Sequence, residues 1–358
     1  MMRELLSEKL PIFKNAAIYV RVMSSEIRFR KIAFQNGEGA EVIVPSVDLP
    51  IIARERSIPA LLDMGVVPLN KPKGPTSHQV SEFVKKILKI SKAGHAGTLD
   101  PAVTGVLPVA LGRGTRIVEW LLPEGKEYIC IMHLHKECDE KIIRNICSQF
   151  VGRIKQMVPR KAAVKRQIRE RNVYSLEVLE IKEKDVLFKA DVESGTYIRT
   201  LCHDIGRKLG GGHMAELVRS RAGPFRIEAT VTLQDLEDAM WYYENGNELP
   251  LRKCVLPIES ACVNMQKVWV FDTTIPSLCH GAPLHVPGIL GVTIGIVAGS
   301  KVCVLSPTGE IVGLGISALS SELLATQPKG LGVTLQTVLK SWNSPDVASA
   351  QKDFENVH

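Results

Sequence analysis

From about residue 265 to residue 342 the chain consists of short apolar runs punctuated by glycine, and this stretch constrains the fold more than any other. The runs are Val268–Phe271, Gly291–Val297, Lys301–Leu305 and Ile311–Leu314, and the turn Ser306-Pro-Thr-Gly309 joins the last two. Runs this short have the spacing of a small β-barrel or sandwich. Nothing upstream has that character, so the 358 residues divide into at least two domains. The most apolar window, residues 286–299, is shorter than the ~18–20 residues a membrane helix needs, and glycines and a proline break it. No membrane association is expected.

Residues 59–252 mix helices and strands. Ser77–Ile90 places Val80, Val84, Ile87 and Leu88 on one helical face. Glu127–Leu134 reads as a strand, and Asp139–Phe150 as a helix opened by an acidic cap. Val173–Glu180 and Val186–Val192 read as paired strands around a charged turn. Tyr197–Leu209 reads as a helix with its approach. Residues 1–58 form a separate extension. Within it the alternation over 17–33 predicts a hairpin turning at Ser24-Ser25, with a second turn at residues 35–39. The tail from residue 343 is polar.

Lys and Arg number 45 against 38 Asp and Glu, a formal net charge of +7, which favours a polyanionic partner without naming one. Aromatic residues are only 5%, which argues against broad stacking platforms for single-stranded nucleic acid. The eight cysteines include no CxxC pair, and they read as reduced thiols of a cytosolic protein. His133 and His135 can share one face of a strand near Cys138, but no clear further ligand accompanies them, so no metal is expected. The start, MMRELLSEKLP, lacks the apolar core of a signal peptide.

Four segments carry candidate chemistry. NKPKGPTSH (70–78) sets Lys71 before a proline turn that caps a helix. GHAGTLDP (94–101) surrounds one carboxylate, Asp100, with small residues, a loop that holds the carboxylate in a fixed direction. SGTYIRTLCHDIG (194–206) puts Tyr197 and Arg199 on one side if that stretch is extended. RSRAGPF (219–225) is a basic pair before a Gly-Pro turn. Taken singly, each also reads as ordinary structure: a helix start, an Asp-Pro turn, a buried Tyr with a surface Arg, and a basic surface turn.

In this order, with GKEY (125–128) between the second and third, the segments resemble the TruB-type pseudouridine synthases. PAVTGVLPVALGRGTRIV after Asp100, KAAVKRQIRERNVYSLEVLE at 161–180 and CHGAPLHVPGI at 279–289 resemble the dyskerin type, the guide-RNA-dependent branch of archaea and eukaryotes. The resemblance spans roughly residues 60–342. It implies an α+β fold, a mixed-sheet catalytic domain at 59–252 and a small all-β PUA barrel at 253–342. The extension 1–58 would pack on the PUA domain, and 343–358 would be a polar tail.

It also implies isomerisation of uridine in RNA to pseudouridine with neither cofactor nor metal. Asp100 would be the nucleophile, Tyr128 would stack on the flipped base, and Arg199 would pair with Asp100. Lys71 would brace the floor, His95 would stand near the vacated space, and Tyr197 and Leu217 would wall the pocket. The basic stretch holding Arg160, Lys161, Lys165, Arg166 and Arg169 would be a thumb gripping substrate RNA. The turn Arg219–Arg221 is expected to offer positive charge to RNA, and Gly281 and Gly288 to allow RNA close to the PUA backbone. The implied partners are an H/ACA guide RNA, substrate RNA, a small zinc-ribbon-containing helper, a Gly/Arg-region-type β-barrel protein and a kink-turn-binding ribosomal-type protein. The implied location is the cytoplasm for an archaeal-type protein and the nucleolus for a eukaryotic one. Two rivals are a stand-alone tRNA pseudouridine synthase and a non-catalytic RNA scaffold.

Overall fold

The computed structural model describes residues 18–20, 29–32, 42–45, 56–157 and 167–340. The described residues form two compact units: 56–264 in one, and those before residue 56 with those after residue 264 in the other. Residues 253–264, expected with the β domain, belong to the larger unit. The helix Leu249–Cys254 and the residue after it bury Leu251, Cys254 and Val255 in one cluster with Leu61, Val67 and Leu107. Arg56 then clasps Glu259 with two hydrogen bonds of 2.8 and 2.6 Å.

Three short strands lie upstream: β1 (Ile18–Val20), β2 (Phe29–Ile32) and β3 (Val42–Pro45). Among the described residues, the two strands within the hairpin expected over 17–33 do not pair with each other. β2 pairs with β3, and β1 pairs with a strand of the C-terminal unit, Ile18 opposite Thr293. Alternation tells which face a strand buries, but it does not choose the partner. Both expected turns lie outside the described residues.

The larger unit is built on a mixed ten-stranded sheet. Its strands are β4 (Gly65–Lys71), β5 (Ala93–His95), β6 (Thr104–Leu111), β7 (Lys126–Leu134), β8 (Gly152–Met157), β9 (Ile168–Lys182), β10 (Asp185–Val192), β11 (Gly212–Ala222), β12 (Phe225–Arg226) and β13 (Leu256–Pro257). The spatial order is β13-β4-β6-β11-β7-β10-β9-β8, with β5 beside β6 and β12 beside β11. β6 and β11 run parallel, and this junction sits at the middle of the sheet. Gly105 of β6 allows it: at φ +107° a Cβ there would stand 2.3 Å from the carbonyl oxygen of Arg219.

Helices cover the sheet with two apolar clusters. One joins Met132, Phe188 and Leu217 to the helices Glu140–Ser148 and Ile198–Lys208. The other joins Leu69, Leu107 and Val109 to the helices Ser77–Ile87 and Leu233–Glu244. The first of these latter helices opens with a reciprocal Thr76–Gln79 capping box and stops short of Ile90, because Lys89 turns to φ +54°.

The C-terminal unit is a seven-stranded sheet. It contains β14 (Gln266–Val270), β15 (Leu284–His285), β16 (Ile289–Thr293), β17 (Lys301–Leu305), β18 (Ile311–Ser317) and β19 (Leu331–Val338), in the order β1-β16-β14-β17-β18-β19-β15. Its core is aliphatic, with Val268, Leu278, Val292, Val304, Val312 and Val333 all buried.

Candidate active site

The loop 94–101, leaving β5 and returning to β6, is fastened from four sides. Ser77, at the start of the helix Ser77–Ile87, accepts from the amide of Leu99 at 2.8 Å and donates to its carbonyl at 3.0 Å. The amide of Gly74 donates to the Pro101 carbonyl at 2.9 Å. Lys71, fully buried at the end of β4, donates to the carbonyls of Pro72, Pro101 and Val103 at 2.8, 3.3 and 3.0 Å. Arg219 of β11, only 1% exposed, donates through Nε to Val106 at 2.7 Å and through Nη2 to Gly97 at 2.9 Å.

So held, the loop presents Asp100 to solvent. Its carboxylate forms an ion pair with the guanidinium of Arg199, and both side chains are about half exposed. Arg199 does not lie on an extended stretch. It stands in the first turn of the helix Ile198–Lys208, with Tyr197 as the N-cap residue. A double hydrogen bond with the Gln156 side chain (3.0 and 3.1 Å) fixes the Tyr197 backbone, and Gln156 is itself buried in β8. Tyr128 lies on β7, opposite Arg219 on one side and Ala190 on the other. It packs on the apolar cluster that contains Leu99, Val103 and Leu217.

The floor is cationic. Burial pushes the Lys71 ammonium down, partly offset by attraction to Asp100. Lys126, at the start of β7, donates to the carbonyls of Leu122 and Glu124 at 2.6 Å each and to Ser194 Oγ at 3.1 Å. Burial first, then repulsion from Arg219, lowers its pKa to about 8. His95 meets Ser81 Oγ through Nδ1 at 3.2 Å and Thr98 Oγ1 through Nε2 at 3.4 Å. Burial lowers its pKa, so the imidazole is held neutral.

A buried lysine of this kind couples stability to pH. Between about pH 8 and the ordinary lysine value near 10.5, the unfolded chain carries the Lys126 proton and the folded chain does not. Stability therefore rises with pH across that window. In Lys126→Met that component is missing, so wild type should gain on the variant from pH 8 to 10. Urea melts at several pH values check this.

Several expected residues fall elsewhere. Arg160, Lys161, Lys165 and Arg166 lie outside the described residues. Arg169 is on β9, opposite Gln156 of β8. The Arg219–Arg221 turn does not offer charge to solvent: Arg219 is buried, and Arg221 pairs with Asp191 at 2.6 Å while donating to the Gly125 and Gly223 carbonyls. In the smaller unit, Gly288 is glycine because a Cβ would meet Thr274 at 2.8 Å, a packing reason. Gly281 has φ +85° with open space around it. Ser77, Lys126 and Gln156 carry no chemical signal in the sequence, and Arg219 is legible there only as expected surface charge. Arg219 shares parity with buried Leu217 along β11, which was the available signal.

An exposed carboxylate paired with a guanidinium can attack an electron-poor carbon, and an aromatic ring packed on the apolar cluster that holds the neighbouring Leu99 can stack a planar base. The comparisons name the family. Residues 85–198 match the N-terminal domain of the TruB family pseudouridylate synthases. Residues 199–263 match the tRNA pseudouridylate synthase B C-terminal domain, and 266–339 match the PUA domain. A probable tRNA pseudouridine synthase B of Methanothermobacter thermautotrophicus is 46% identical over 286 residues, covering 79% of this chain and 88% of the relative. The protein of the same description from Methanosarcina barkeri is 48% identical over 282 residues, covering 78% and 83%.

Among solved structures, a chain of an archaeal box H/ACA sRNP Nop10–Cbf5 complex superposes with TM-score 0.79 at 40% identity, covering 92% of this chain and 97% of that one. A chain of a Cbf5–Nop10–Gar1 complex gives 0.81 at 41% identity, covering 93% and 97%. A chain of an H/ACA RNP bound to a substrate RNA containing 2′-deoxyuridine gives 0.80 at 40%, covering 95% and 99%. The chain is an RNA-modifying isomerase, a pseudouridine synthase with a C-terminal PUA domain. It belongs to the TruB family, in the dyskerin-type branch of the archaeal Cbf5 structures.

Proposed function

We propose that the chain is the catalytic subunit of an H/ACA ribonucleoprotein and isomerises guide-selected uridines in rRNA, with tRNA as a further substrate class. The observation that carries this reading is the Asp100–Arg199 pair on a loop fastened by Lys71, Ser77 and Arg219. The likeness to chains solved with Nop10, Gar1 and substrate RNA, across more than nine-tenths of this chain, supports the guided assembly.

The target uridine is flipped from its duplex, at a cost of a few kcal/mol, and stacks on Tyr128. Asp100 is the nucleophile. The C1′–N1 bond breaks, the uracil turns, a C1′–C5 bond forms, the C5 proton leaves and N1 gains one. Arg199 aims the carboxylate, Lys71 and Arg219 hold its loop, and His95 sits in the loop as a neutral imidazole. Tyr197 and Leu217 complete the pocket wall. Arg160, Lys161, Lys165, Arg166 and Arg169 grip substrate phosphates, and the β unit around Gly281 receives the guide's ACA end. Guide pairing supplies the sequence choice.

The partners are guide and substrate RNA, a zinc-ribbon-containing helper, a Gly/Arg-region-type β-barrel protein and a kink-turn-binding ribosomal-type protein. Of the residues before 56, β1 pairs with β16 of the PUA domain. The setting is the cytoplasm, and among the described residues no helix is long and apolar enough to cross a membrane.

The curated relatives' names favour a second reading, a stand-alone tRNA pseudouridine synthase. Guide swapping separates the two. Changing the guide's pairing arms should move pseudouridine to the newly matched uridine. Modification of an unchanged tRNA position whatever the guide sequence would favour the stand-alone enzyme.

A further inference from the structure

Away from the Asp100 loop, four titratable side chains line up across three strands. Asp185 of β10 stands opposite His133 of β7, and His133 stands opposite His213 of β11. His135 follows two residues after His133, on the same face, and its amide bonds the Gly211 carbonyl at 3.0 Å. His133 Nδ1 meets Asp185 Oδ1 at 2.7 Å. His135 Nε2 meets His213 Nδ1 at 3.1 Å. The ring centroids of His133 and His135 lie 5.5 and 5.3 Å from that of His213. The row faces solvent, with His133 40% exposed.

We propose that His133, His135 and His213 form a binding site for a divalent transition-metal ion of the zinc class, with Asp185 as the outer partner of His133. The sequence shows the pair His133-x-His135 without a further ligand, and the fold supplies it from β11. Two imidazole nitrogens on one tetrahedral ion at about 2.0–2.1 Å each stand about 3.3 Å apart. The His135–His213 nitrogens already have nearly that spacing, so an ion can replace the proton they share. Among the described residues no three such groups already converge on one ion. The His133 and Asp185 side chains, 40% and 56% exposed, would turn together to bring His133 into the set. Its Nδ1 is committed to Asp185, which leaves Nε2 as the donor, the arrangement in which a carboxylate orients a ligating histidine. Three protein ligands leave one position for water or a partner's group. Such an ion would tie β7 to β11, the strands that also carry Tyr128, Leu217 and Arg219.

The test uses full-length protein without a polyhistidine tag, stripped with chelator and titrated with zinc by calorimetry and with cobalt by visible absorption. One ion per chain is expected, with a cobalt spectrum free of thiolate charge transfer. His213→Gln and His135→Gln should each abolish saturable binding, Asp185→Asn should weaken it roughly 10–100-fold, and Cys138→Ser should leave it unchanged. Pseudouridine formation by stripped protein is expected to persist. No saturable binding by wild type, binding that survives His213→Gln, or a thiolate cobalt spectrum would overturn the proposal. The wild-type titration decides alone if a variant fails to fold.

Discussion

Replacing Asp100 with Asn should abolish pseudouridine formation, by at least about 10⁴-fold, while RNA affinity stays within about threefold of wild type. The amide keeps the size and can still accept a hydrogen bond from Arg199, so loop and pocket retain their shape. It has lost the nucleophilic oxygen. Loop geometry does not rest on the carboxylate: Ser77, Lys71, Gly74 and Arg219 all hold backbone atoms around it. Arg199→Lys keeps the charge but not the planar fork, and a fall in kcat of roughly 10²-fold is expected with KM nearly unchanged. Single-turnover assays beside filter binding separate the two quantities.

Arg219→Met should cost roughly 3–5 kcal/mol of stability, because it removes two charge-assisted hydrogen bonds and leaves the Gly97 and Val106 carbonyls without the donor they have here. Arg219→Lys keeps the charge and reaches one carbonyl at best. It should fold, melt lower, and show a larger loss in kcat than in RNA binding, since Gly97 lies three residues before Asp100. Denaturant melts with single-turnover rates check both variants. An Arg219→Lys enzyme with wild-type rate and stability would show that the floor does not position the loop.

The elements that bear the site were legible where local signals were strong. The proline turn within 70–78 announces a helix start, Asp139 opens the helix Glu140–Ser148, and the strands read at 127–134 and 186–192 meet β7 and β10. Asp100 stood out because small residues and a proline isolate it. What stayed hidden depends on distant chain. RSRAGPF reads as a basic surface turn until β11 is placed parallel to β6, which buries Arg219 under residues more than a hundred positions away. Tyr197 and Arg199 share a side only if that stretch is extended, and the helix instead begins at Ile198. Gln156 carries no chemical signal, and only tertiary structure pairs it with Tyr197. β1 resembles half of a hairpin because pairing choice is not written in alternation.

The most direct test places a single C5-tritiated uridine at a guide-matched position in an rRNA fragment and follows tritium release by the assembled particle. Formation of the C1′–C5 bond expels that hydrogen, so release reports the isomerisation itself. The account predicts release with the matched guide, none with a mismatched guide, and none from Asp100→Asn. Equal release without any guide, or release by Asp100→Asn at the wild-type rate, would contradict it.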